Sequence, residues 1–259
     1  MSREPQNEIK VNRDGFVGIV EIDRPPLNFF DVTLVDTLLK EMQALDADPD
    51  CRAIVLAAAG KVFCAGADFG GGLDPEEGLQ MAKALYGNAV GLFEIATPII
   101  AAVQGPAIGG GLGLALTADF RVTSDAARFS ANFAVLGMHC GFGISTTLPR
   151  VVGQNAAAMM LYTGRRLTGT HAHEIGLADQ LVDQGQEREA ALVLATEIAA
   201  NAPIAVQDMR RTLRAGLAED VRAALEHELA QQRSHMTTAD FHEGIRAASK
   251  RETPAFIGK

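Results

Sequence analysis

Two small-residue segments carry the pattern most suited to chemistry in this chain. Lys61-Val-Phe-Cys-Ala-Gly-Ala-Asp-Phe69 follows a stretch, Ala53 to Leu56, that reads as a β-strand. Gln104-Gly-Pro-Ala-Ile-Gly-Gly-Gly-Leu-Gly113 follows a second one, Ile99 to Val103. Glycine and alanine at a strand exit leave backbone N–H groups unscreened, free to point into a cleft and offer hydrogen bonds there. Neither segment is a phosphate loop. No Gly-Lys-Ser/Thr follows, and no G-x-G-x-x-G opens a helix. A triple glycine after a strand also suits close packing of a helix on that strand, so the pair is more informative than either segment alone.

Short β-type runs, Gly18–Ile22, Ala53–Leu56, Pro98–Val103 and Phe120–Thr123, alternate with helical stretches such as Val32–Leu45 and Glu76–Ile95. This is α/β patterning. From about Glu187 to Ser249 the residues are mostly Ala, Leu, Glu, Gln and Arg, with apolar positions at helical spacing in Val206–Leu217 and Val221–Leu229. Three or so helices without strands should close the chain, either covering the core or packing between subunits. The expected division is a core over residues 1–190 and a helical region over 191–259.

Composition narrows the function classes. Twenty-three Lys plus Arg against 32 Asp plus Glu give a formal charge of −9 over 259 residues, 47% of them hydrophobic. An acidic chain with no basic run makes nucleic acid a poor partner. Cys51, Cys64 and Cys140 are too few for a disulfide scaffold and suit a reducing compartment. The apolar run from Pro98 to Leu116 is broken by Gln104, Pro106 and glycines, which argues against a membrane span. The N-terminus lacks the apolar stretch of a signal peptide, so a cytoplasmic location is expected.

Further segments, in order, resemble the crotonase superfamily, also called the enoyl-CoA hydratase/isomerase family. They are Asp23-Arg-Pro-Pro-Leu-Asn28, Phe63-Cys-Ala-Gly-Ala-Asp68, Ala101 to Gly111, Ala118-Asp-Phe-Arg-Val122, Ala127-Arg-Phe129, Gly141-Phe-Gly143, Leu148 to Gly153, Thr163-Gly-Arg165, Glu174 to Ala178 and Lys250 to Phe256. The resemblance runs from about Gly18 to the C-terminus. It implies an α/β fold in which ββα units form a spiral, with a helical C-terminal trimerisation region and assembly as a homotrimer or a dimer of trimers. It also implies an acyl-CoA thioester as substrate, with no covalently bound cofactor and no metal. The family's oxyanion hole maps onto the backbone N–H groups of Ala67 and Gly110. A thioester carbonyl gains negative charge when its α-carbon is deprotonated or its β-carbon attacked, and each preorganised donor is worth roughly 3 to 4 kcal/mol there.

The family's two catalytic glutamates have no counterpart. One position, two residues beyond the triple glycine, is Gly113; the other, four beyond Phe129, is Phe133. Neither can move a proton, so paired-carboxylate addition of water is not available, and isomerase-like or other enolate chemistry is favoured. Hydrolysis of a C–C bond or thioester on the same scaffold, or a non-catalytic acyl-CoA-binding subunit, are the alternatives; restoring both glutamates would probe the latter. His139 is the candidate acid/base, because its segment lines the rim of the acyl pocket in the family and an imidazole titrates near neutrality. The other role for it is a structural imidazole bonded to backbone. Cys140 reads as packing, and Asp119 as a turn residue.

For CoA, the resemblance implicates Lys61 and Ala65, with Phe256 and Lys259 from an adjacent subunit, and places Phe133 and Gly141 at the acyl group. A second basic position of the family is Gly70 here. Asp68 suits a cap, and Asp74, Glu76 and Glu77 a solvated helix start. His171 and His173, two apart, do not share a helical face, which argues against a metal pair.

Overall fold

The computed structural model describes residues 8–67 and 75–259, with the backbone alone at 75 and 76. The readings made above for Asp68, Gly70, Asp74 and the Glu76 side chain lie outside the described residues.

Strands β1 (Ile9–Asp14) and β2 (Val17–Ile22) pair antiparallel. From β2 the sheet continues in parallel through β3 (Ala53–Ala58), β4 (Ile99–Val103), β6 (Phe120–Thr123) and β9 (Gln180–Leu181). A second sheet holds β5 (Ala107–Ile108), β7 (Arg128–Ser130) and β8 (Leu167–Thr168). The central strands are buried on both faces, as parallel strands covered by helices must be, which is why β3 and β4 are continuous apolar runs. Strand β1 escaped the sequence reading for the opposite reason. All of it after Ile9 is exposed, so no apolar alternation marks it and pairing with β2 defines it.

The helices are α1 (Val32–Asp46), α2 (Pro75–Glu94), α3 (Gly110–Ala115), α4 (Ile144–Thr163), α5 (Gly169–Glu174), α6 (Glu187–Ala199), α7 (Pro203–Leu213), α8 (Leu217–His235) and α9 (Ala239–Lys250). Helix α1 starts where the Asp31 carboxylate accepts from Leu34 N–H at 2.8 Å, an N-cap worth about 1 kcal/mol. The helix read across Val206–Leu217 is two: α7 stops at Leu213, and Gly216 turns the chain at φ 77° before α8 begins.

The expected division near residue 190 falls inside α6. Ala191, Ala195 and Ala199, one face of that helix, are buried with Val17, Val55, Ile100 and Val122 of the sheet. Their small side chains allow a close approach, so α6 belongs to the core layer. Helices α8 and α9 fold back over the same chain. Val90 and Phe93 of α2 pack with Leu217, Val221 and Leu225 of α8. At α9, a Cβ on Gly244 would lie 2.5 Å from Leu136 backbone, so that glycine is what lets the helix close onto the 3-10 turn at 134–136.

Asp119 does more than form a turn. Its carboxylate accepts from Ile99 N–H, Arg210 Nε and Arg214 Nη1, each at 2.8 Å, and so ties α7 and the α7–α8 connection to the sheet. Burial pushes this carboxyl up, but the two guanidiniums more than offset it and hold it below the usual range.

Candidate active site

Backbone bonds join the two glycine segments directly. Cys64 N–H donates to Pro106 O at 3.0 Å, and Ile108 N–H to Cys64 O at 3.0 Å. Ala65 N–H donates to Leu27 O and Phe30 N–H to Gly66 O, which fastens the first segment to the loop before α1. That loop is set by Asn28, fully buried at φ 49°, whose amide donates to Ala59 O and Val62 O and accepts from Arg24 N–H. Asparagine tolerates this left-handed conformation better than most residues. Glycine is required at 66, where φ is +96° and a Cβ would stand 2.9 Å from Ile108 O and 3.3 Å from Gly110 N.

This arrangement brings Ala67 and Gly110 onto one narrow cavity, together with Phe133 and Gly141. Gly110 is the first residue of α3, a position whose N–H has no intrahelical acceptor. Neither the Ala67 nor the Gly110 N–H donates to a backbone or side-chain acceptor among the described residues. The remaining walls are mostly apolar, with Phe30, Met81 and Leu85 among them. Hydrogen bonds made in such surroundings are stronger than in water.

The two positions without carboxylates are occupied differently. Phe133 lies in the wall itself, 7% exposed. Gly113 has no room for any side chain: a Cβ there would lie 2.7 Å from Phe142 Cβ and 2.8 Å from its Cδ1. Phe142 holds a left-handed φ of 62° between Gly141 and Gly143, and its ring packs on Phe30 at 5.3 Å between centroids. Restoring the glutamates at 113 and 133 is therefore not enough to recreate the paired site.

The sequence reading missed the cavity's polar side chains. Tyr86 of α2 donates its hydroxyl to Gln232 Oε1 of α8 at 2.9 Å, and Gln232 Nε2 donates to the carbonyls of His139 and Cys140. Gln232 is 1% exposed. A Cβ on Gly141 would fall 1.9 Å from the Tyr86 hydroxyl, so the glycine exists to admit this pair. Burial, reinforced by the nearby Glu228 charge, pushes the Tyr86 phenol up, and it stays protonated near neutrality.

His139 does not line this cavity. It faces a neighbouring one on the other side of Phe133, with Nδ1 at 2.9 Å from Cys140 O and its ring edge-on to His227 and stacked with His235. That is the structural-imidazole arrangement. Behind it, Glu228 is fully buried and accepts from Gly143 N–H at 2.9 Å, Ser145 N–H at 3.0 Å and Ser145 Oγ at 2.6 Å. Burial raises its carboxyl against the opposing bonds from Ser145 and Gly143. Burial and that same carboxylate push the Cys140 thiol up, which leaves it a poor nucleophile.

The CoA candidates are spread over the surface beside the first segment and on the C-terminal tail. Lys61 is exposed and Ala65 half-buried, while Phe256 is 42% exposed. Lys259 O accepts from Asp240 N–H, and the Asp240 carboxylate accepts from Ile257 and Gly258 N–H, which pins the tail along the start of α9. None of these four lines the cavity that holds Ala67 and Gly110. Among the described residues no cluster of three or more His, Cys, Asp or Glu could hold a metal ion, and no single helix is long and apolar enough to cross a membrane.

Comparison with known proteins agrees with the motifs. The enoyl-CoA hydratase/isomerase family profile matches residues 12–259. The human mitochondrial enoyl-CoA hydratase domain-containing protein 2 is 36% identical over 93% of this chain and 86% of its own length. The 2,3-dehydroadipyl-CoA hydratase of Escherichia coli K12 is 31% identical over 98% of this chain and 100% of its own. The crystal structure of an enoyl-CoA hydratase/isomerase from Pseudoalteromonas atlantica superposes with a TM-score of 0.85 at 29% identity, covering 97% of this chain and 100% of that one. With its α/β fold, motif order and full-length match in agreement, the chain belongs to the enoyl-CoA hydratase/isomerase family of the crotonase superfamily.

Proposed function

We propose that this protein is an acyl-CoA enzyme that holds the thioester carbonyl oxygen between the Ala67 and Gly110 N–H groups and stabilises an enolate, in preference to hydrating a double bond. The observation that carries this reading is the pairing of two backbone donors, unengaged among the described residues, with a cavity whose glutamate positions are Gly113 and Phe133. Polarising the carbonyl acidifies the α-carbon, and each donor supplies about 3 kcal/mol as negative charge develops on oxygen. The α-proton leaves to solvent water and a proton returns from solvent at the α- or γ-carbon, since no carboxylate or imidazole lines the cavity among the described residues. Tyr86 keeps its proton, so it acts as a hydrogen-bonding group and not as a base. Double-bond isomerisation, or another conversion through the same intermediate, fits such a site. Hydrolysis by an imidazole-activated water loses its geometry, since Phe133 stands between His139 and the two donors.

Lys61 and Ala65 are assigned to the CoA moiety, with Phe256 and Lys259 contributed by a neighbouring subunit of a homotrimer or a dimer of trimers in the cytoplasm. The acyl-CoA thioester is the substrate and no further cofactor takes part. Mass spectrometry of saturated and unsaturated acyl-CoAs incubated in deuterated, ¹⁸O-labelled water tests the reading. Deuterium at the α- or γ-carbon without ¹⁸O is the expected result. Incorporation of ¹⁸O would contradict it, and neither label in any substrate would favour a binding subunit.

A further inference from the structure

Phe133 lines a cavity and a groove. On one side is the cavity that holds Ala67 and Gly110; on the other is a groove lined by Met138, Ala157, Ala158 and Leu161, with His139 and the exposed Tyr162 on its solvent side. No other residue lines both among those described. The ring starts at the entry to the 3-10 turn and reaches across: its Cζ would be 3.8 Å from a Cβ on Gly109, the residue before the Gly110 donor. It is 7% exposed and packed in the core, so it acts as a fixed partition.

We propose that Phe133 sets the upper limit on acyl size, that the wild-type protein takes short-chain acyl-CoA thioesters, and that the solvent-facing groove behind Phe133 accepts an acyl tail along its apolar side once the ring is removed. This rests on the acyl-CoA reading above. A chain whose carbonyl sits at Ala67 and Gly110 meets the Phe133 ring within a few carbons, while Met138, Ala157, Ala158 and Leu161 beyond it offer the apolar contact a methylene chain requires.

The test is calorimetric binding of butyryl-, hexanoyl-, octanoyl- and decanoyl-CoA, saturated thioesters with no double bond to move. The wild type should gain nothing beyond hexanoyl. Phe133→Ala should tighten about fourfold for each added methylene from hexanoyl to decanoyl. Ala158→Phe, placed in the Phe133→Ala background to refill the groove, should abolish that gain. Phe133→Leu, a smaller disturbance of the core, should show part of it and guards against misfolding of the alanine variant. A wild-type affinity that already climbs to decanoyl, or identical length profiles for wild type and both variants, would overturn the inference. Failure of the wild type to bind any of the four would overturn the acyl-CoA reading itself, and this inference with it.

Discussion

Phe142 occupies the space that a side chain at position 113 would need, with its Cβ 2.7 Å from the place of a Gly113 Cβ. The absence of a carboxylate at 113 is thus coupled to the left-handed Phe142, and position 113 cannot gain a side chain while Phe142 stays.

That coupling predicts the outcome of rebuilding a hydratase. Gly113→Glu with Phe133→Glu should fold poorly and show no hydration of crotonyl-CoA. Adding Phe142→Gly removes both the Cβ and the ring that fill the space and suits the positive φ there. The triple variant should hydrate crotonyl-CoA about 100-fold faster than the double variant, the lower end of what positioned acid–base groups supply. Absorbance loss of the enoyl thioester measures it.

The Tyr86–Gln232 pair predicts a ranking of stabilities. Tyr86→Phe leaves the buried Gln232 Oε1 without its donor and should cost about 1 kcal/mol in urea unfolding. Gly141→Ala drives a methyl group into the Tyr86 hydroxyl and should cost more, about 2 kcal/mol. The reverse order would show that the glycine is kept for another reason.

The buried carboxylates tilt stability in opposite directions with pH. Asp119 is held below its ordinary value of 3.8, so its contribution is present above that pH and disappears as pH falls through the depressed folded value. Asp119→Asn should lose about 3 kcal/mol at pH 7, leaving Arg210 and Arg214 buried without their partner, and should flatten the acid limb of the unfolding curve. Glu228 is raised above its ordinary 4.5, so its cost is absent below that value and grows as pH rises toward the elevated folded one. Glu228→Gln should remove that loss of stability with rising pH, whatever its offset at acid pH. Urea midpoints between pH 3 and 7 separate the two slopes.

The fold was legible wherever burial writes itself into adjacent residues. The apolar runs of β3 and β4, the helix at Val32 and the glycine segments that turn at Gly66 and Gly109 all follow from local pattern, and the motif order supplied the family. What escaped was set by contacts distant in sequence. Tyr86 and Gln232 are 146 residues apart, and Asp119 meets Arg210 and Arg214 at separations of 91 and 95. Nothing in the letters around Asp119 distinguishes a turn aspartate from a helix anchor. His139 showed the same limit in reverse, since its neighbours in sequence placed it at the pocket rim while Phe133 separates it from the donors. Gly113 and Phe133 were legible as missing carboxylates, but the reason Gly113 must stay a glycine needed Phe142 in three dimensions.

Polarisation of a thioester carbonyl by the Ala67 and Gly110 N–H groups, as proposed, leaves a vibrational signature. Isotope-edited infrared difference spectroscopy of butyryl-CoA labelled with ¹³C at the carbonyl reads this directly, without turnover. The carbonyl stretch should move to lower frequency on binding, as two hydrogen bonds weaken the C=O bond. A bound thioester with the same carbonyl frequency as in solution would contradict it.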